Sequence, residues 1–198
     1  MSVDVLGHHP DPRALRREPV IPSGVLGMLI FVVSEVMFFT GLISAFLIVK
    51  ESAPSGIWPP PGQPRLPVGT TAINTLMLLA SGVSLLLAER AYRSKGARTK
   101  PLVMGAMALG AFFVIAQGRE WLALIQEGLT LTSSSHGGFF YTIVGAHGLH
   151  AVAALIGLGW VLRRLLRGEL LLRELQTALV FWLFVVGVWP VLYWQVYL

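Results

Sequence analysis

The chain of 198 residues has no cysteine at all. That excludes disulfides, thiolate metal sites and cysteine nucleophiles together. Charge is scarce as well: 13% of residues are Asp, Glu, Lys or Arg, where a soluble domain carries about a quarter. No phosphate-binding glycine loop, nucleophile elbow or pair of carboxylates at hydrolase spacing occurs. No short apolar h-region precedes the first long apolar run, so residues 1–22 are expected to be a cytoplasmic tail rather than a cleaved signal peptide. His8 and His9 in that tail are expected to be a solvated pair.

What is present is apolar. Hydrophobic residues make up 55% of the chain, and the mean hydropathy is +0.70. They fall in five blocks of about 20 residues or more, each long enough to cross a bilayer core as a helix. The expected fold is an all-α, five-transmembrane-helix bundle over 23–198, with helices near 23–49, 69–91, 101–125, 138–162 and 175–198. The segment 57–62, with three consecutive prolines, cannot be regular helix, and Trp58 within it suits the headgroup region. Small residues at Ala80, Ser84 and Ala88, and at Ala106 and Gly110, suggest faces where helices approach closely. Pro101 is expected at the first position of the third helix, and Pro190 is expected to kink the fifth and free the carbonyl of Val186.

The basic residues set an orientation. Of the 15 Lys and Arg, 12 fall in the tail and in the second and fourth loops; Lys50, Arg65 and Arg119 fall on the other side. The positive-inside rule then places the N-terminus in the cytoplasm and the C-terminus on the opposite, outer face of the membrane. The pI near 10 is read in the same way, as attraction to anionic lipid rather than to nucleic acid. Arg90, Arg93, Arg163 and Arg164 are the candidates for lipid phosphates.

Few polar residues interrupt the spans, and each demands a reason. Glu35 lies near the middle of the first, where an acidic residue costs roughly 2.5–3.5 kcal/mol on insertion scales. It counts as either a fixed buried hydrogen-bonding group or a proton-handling one. At about 1.5 Å per residue, Glu35 lies roughly 16–18 Å from the inner end of its helix and His147 roughly 14 Å from the outer end of the fourth. In a core about 30 Å thick those depths nearly coincide, so a histidine of the fourth helix is expected across from Glu35. His150, three residues on, shares a face with His147. Asn74, Gln117 and Glu120 form a second polar layer nearer the outer boundary, expected to make interhelical hydrogen bonds. Two histidines leave haem or metal ligation open, and an acid with histidines leaves a proton relay open.

The motifs resemble those of haem–copper oxidase subunit III, the five-helix bacterial type. They are Ser34-Glu35-Val36-Met37-Phe38-Phe39, Trp58-Pro59-Pro60-Pro61-Gly62, Ile73-Asn74-Thr75, Gln117-Gly118-Arg119-Glu120-Trp121 and His147-Gly148-Leu149-His150, in the order of the family. The resemblance implies a subunit without a redox centre in a cytochrome c or quinol oxidase. It would pack on catalytic subunit I and beside other oxidase subunits, bind phospholipid, and support proton uptake and durability. Haem and copper would lie in the partners, this chain would hold no cofactor or metal, and the whole could join a larger respiratory supercomplex. Two positions depart: Leu183 and Val186 stand where the family commonly has histidine and aspartate. Two other readings stay open, a proton-coupled transporter using Glu35 and His147 and a haem-carrying membrane anchor.

Overall fold

A computed structural model describes residues 22–53, 58 and 63–198. The tail with His8, His9 and its arginines, and the prolines of 59–61, lie outside the described residues.

Five helices account for nearly everything described: α1 (Ser23–Glu51), α2 (Val68–Arg93), α3 (Thr99–Gln126), α4 (Ser135–Arg167) and α5 (Leu172–Leu192). All five are long and apolar enough to cross a membrane. A π-helical segment, Tyr193–Tyr197, continues α5. Every helix extends past its apolar block, because bonded backbone does not stop where side chains become polar. α4 differs most. It begins at Ser135, where the Ser134 side chain accepts from the Gly137 amide at 3.1 Å. It ends at Gly168, whose φ of 72° suits a residue without Cβ. Pro101 occupies the third position of α3 rather than the first, still within the turn where no intrahelical donor is missed. α5 runs on through Pro190 to Leu192 before widening to the π segment.

The helices α2, α3, α4 and α5 close a ring, each packed on the next and α5 back on α2. α1 lies outside that ring, mostly against α5, with a slighter contact to α4. Only Phe39 and Phe46 of α1 are buried, whereas Met37, Ile30 and Ile48 are largely exposed. In a lipid-embedded chain such a face meets acyl chains or another subunit, so exposure is no defect.

The ring is held by aromatic donors meeting hydroxyls. Trp182 Nε1 donates to Ser81 Oγ at 3.1 Å, and Ser81 in turn donates to the Ala106 carbonyl at 2.7 Å. About two turns further along α5, Trp189 Nε1 donates to Thr75 Oγ1 at 2.8 Å, which donates to the Thr71 carbonyl. Ser84 donates to the Leu102 carbonyl at 2.8 Å. Interhelical bonds of this kind in membranes average about 0.6 kcal/mol each, and here they also fix rotation about the helix axes. The α2 contact face therefore runs through Ser81, Ser84 and Ala88, while Ala80 is exposed. Gly110 admits the Trp182 ring: a Cβ there would lie 2.6 Å from the ring edge.

Candidate functional site

Glu35 meets His150, not His147. Its Oε2 lies 2.9 Å from His150 Nε2, with the two side chains 18% and 16% exposed. Measuring both helices from their shared end explains which of the two histidines it meets. Glu35 is 16 residues from Glu51, roughly 24 Å, and His150 is 15 residues from Ser135, roughly 22 Å. His147, at 12 residues, sits about one turn too near that end. The earlier depth count set Glu35 from one membrane face and His147 from the other, and α4 starts three residues sooner than its apolar block.

Bonding at the second ring nitrogen constrains the chemistry of the pair. His150 Nδ1 lies 2.7 Å from the Ala146 carbonyl oxygen, which can only accept, so Nδ1 carries a hydrogen. A single proton then lies between Nε2 and Oε2. The pair is either imidazolium with carboxylate or neutral imidazole with carboxylic acid, and both forms keep the same hydrogen bond. Phe39, Phe181 and Phe184 ring the imidazole, with centroids 5.5, 6.3 and 6.3 Å away. The partial exposure of the pair lies where α1 meets α4 only lightly.

His147 is part of the core. It is 1% exposed, leans on the Trp189 ring at 4.9 Å and 32°, and is edged by Phe113 at 6.1 Å and Phe39 at 6.4 Å. Neither ring nitrogen has a hydrogen-bond partner among the described residues. It is not bonded to Glu35, so the two histidines of one motif occupy different environments. Among the described residues no three His, Asp or Glu side chains come together as a metal-binding group.

The residues of the second polar layer form one connected set. Asn74 Nδ2 donates to Gln117 Oε1 at 3.3 Å and to the Phe113 carbonyl at 3.2 Å. Gln117 Nε2 donates to Glu120 Oε2 at 3.1 Å and to the Tyr197 hydroxyl at 2.9 Å. Thr71 Oγ1 lies 2.9 Å from the same Glu120 oxygen. This ties α2, α3 and the π segment at one level. Thr71, and Tyr197 as a hydrogen-bonding partner, are not read from the sequence as members of this layer. A polar residue in the first turn of a span and a tyrosine in the last were the available signals.

At the basic end, two of the four arginines already have partners within the chain. Arg93 Nε pairs with Glu89, which also accepts from Gln176 Nε2 at 3.2 Å. Arg164 pairs with Glu174 at 3.3 Å, donates to the Glu169 carbonyl at 2.8 Å and lies over the Trp160 ring. Arg90 and Arg163 are exposed. Val186 is buried, and a Cβ on Gly82 would lie 3.0 Å from its Cγ1, so the apolar replacement packs where the backbone of α2 comes close. Leu183 packs against the same core, partly buried.

Five long apolar helices, with polar side chains joined across helices, define a polytopic helical membrane protein. The family profile described as cytochrome c oxidase subunit III matches residues 16–198. Cytochrome c oxidase subunit 3 of Mus musculus is 31% identical over 200 residues, covering 96% of this chain and 72% of that protein. The probable cytochrome c oxidase subunit 3 of Nocardia farcinica is 32% identical over 178 residues, covering 87% of this chain and 86% of the relative. The chain belongs to the cytochrome c oxidase subunit III family.

Proposed function

We propose that the chain is the non-redox subunit of a respiratory terminal haem–copper oxidase. It packs on the catalytic subunit and supports proton uptake and stability while oxygen is reduced elsewhere in the complex. The N-terminus is cytoplasmic and the membrane is the bacterial inner one. Basic side chains at the cytoplasmic end, Arg90 and Arg163 foremost, face the phosphates of anionic phospholipid.

The observation that carries this reading is the Glu35–His150 contact. A shared proton within a mid-span pair makes an acidic residue tolerable in the bilayer without a second carboxylate or a metal. The pair lies toward the light α1–α4 contact, where a partner subunit or lipid completes its cover. A proton-coupled transporter built on Glu35 and His147 would need those two groups to communicate. Instead His147 is enclosed by Phe39, Phe113 and Trp189.

An optical spectrum of the chain purified without its partners tests the absence of a cofactor. We expect no Soret band and no bound metal. A Soret band that follows the protein through purification and disappears in His147→Ala would overturn the assignment in favour of a haem-carrying anchor.

A further inference from the structure

Between α3 and α4 lies a cavity of about 350 Å³. That volume is within the range of small-molecule sites, about 300–1,000 Å³. Leu149 and Val152 line it and are both exposed, so it opens away from the ring of helices toward the bilayer. Its room comes from glycines. At Gly118 and Gly145 an added Cβ would meet nothing within 4 Å. At Gly148 it would lie 2.9 Å from the edge of the Trp121 indole, which covers that glycine.

Small residues alone make only a groove; the unmet hydrogen-bonding groups of its wall point to a ligand. His147 lines the cavity, is 1% exposed, and has no partner for either ring nitrogen among the described residues. Trp121 lines it too, and its Nε1 likewise lacks a partner among them. A neutral imidazole has one N–H donor and one acceptor nitrogen, and an indole N–H only donates. Two donors and one acceptor are therefore unpaired in a wall that is otherwise apolar, which is a costly state. Depth narrows the choice of partner. His147 is four residues from Ala151, the midpoint of α4, roughly 6 Å along the axis. Phospholipid ester carbonyls lie at the edge of the core, about 15 Å from its centre, too far out to reach it. We propose that this cavity binds the ring of a quinone dissolved in the bilayer. Its carbonyls accept from His147 and from Trp121 Nε1, and in the quinol form a hydroxyl donates to the other imidazole nitrogen. The rings of Phe113 and Trp189, also in the wall, give a flat molecule aromatic surface to pack on. Entry requires the partly buried Trp121 indole to turn off Gly148. The site uses neither Glu35, His150 nor the arginines, and stands apart from the oxidase assignment.

The complex containing this chain, purified in mild detergent and depleted of quinone, would be photolabelled with an azidoquinone and the labelled peptides identified by mass spectrometry. We expect saturable labelling within 113–121 or 144–152, prevented by excess decylubiquinone and unaffected by dioctanoyl phosphatidylglycerol. His147→Phe keeps a flat ring but removes both nitrogens, and should weaken labelling by about tenfold or more, the scale of losing a hydrogen bond in a desolvated site. Gly145→Leu fills the cavity where the fold leaves room, and should abolish it. Gly157→Leu, at an equally open position of α4 that does not line this cavity, should leave it unchanged. Labelling only elsewhere, no labelling, full labelling in Gly145→Leu or His147→Phe, or equal loss in Gly157→Leu would overturn the site. Displacement by dioctanoyl phosphatidylglycerol would overturn the quinone assignment in favour of an acyl chain.

Discussion

Replacing Gly110 by valine should prevent the chain from accumulating in assembled complex, and replacing it by alanine should destabilise the bundle by about 1–3 kcal/mol, the usual cost of overpacking. The added Cβ would lie 2.6 and 2.7 Å from two atoms of the Trp182 ring and 3.1 Å from a Leu155 methyl. Trp182 cannot simply swing aside. It is fully buried, and its Nε1 is bonded to Ser81 on the neighbouring helix α2. Trp182→Phe shortens the side chain at the point of collision, at the loss of the donor to Ser81. Ser81 itself keeps its bond to the Ala106 carbonyl. The double variant Gly110→Ala/Trp182→Phe should therefore be more stable than the sum of the two singles by about 0.5–3 kcal/mol, the range found for residues in contact. Thermal unfolding of the complex measures it. Strict additivity would mean that α3 and α5 do not meet as described.

The second large effect concerns Glu35. Glu35→Ala removes the partner of His150 Nε2 within the bilayer and should weaken the bundle by roughly 1–3 kcal/mol, the penalty for a buried polar group left unsatisfied. Glu35→Gln should be far milder. Its amide can donate to Nε2 while Nδ1–H stays on the Ala146 carbonyl, so the contact survives without a titratable group. We expect assembled Glu35→Gln complex to retain most oxidase turnover across the pH range, with subunit content checked on the same samples. A fall of about tenfold or more near neutral pH, the scale of losing a proton-transfer group, would mean that Glu35 belongs to an obligatory proton path. Infrared difference spectra distinguish the two proton positions of the pair. A carboxylic-acid carbonyl band absent from Glu35→Gln signals neutral imidazole with protonated Glu35. No such band signals imidazolium with carboxylate.

The helices were legible because apolar length alone selects a transmembrane helix, and five blocks of apolar sequence allow little else. Their ends were less so. Ser134, the residue that caps α4, lies inside a run of serines that reads equally well as a polar loop. The basic residues up to Arg167 remain helical beyond the apolar block because their long side chains reach the interface. Glu35, His150, Asn74, Gln117 and Glu120 could all be named from the sequence because polar residues in apolar spans are conspicuous. Which histidine meets Glu35 could not be fixed by depth counted from assumed membrane faces. A three-residue shift in one helix start changes the answer. The Trp182–Ser81 and Trp189–Thr75 bonds went unnoticed for another reason. Tryptophan in a terminal span suggests an interfacial belt, and only the packed rotation of α5 shows these two turned inward.

The most direct test of the central claim is affinity purification of this chain from its native membrane in mild detergent, with the eluate examined by protein identification, optical spectrum and oxygen consumption. The account predicts that a haem–copper catalytic subunit elutes with it in constant ratio, bringing haem absorbance and cyanide-sensitive oxygen uptake that the chain alone lacks. Elution of the chain by itself, folded and stable, with all oxidase activity left behind, would contradict it.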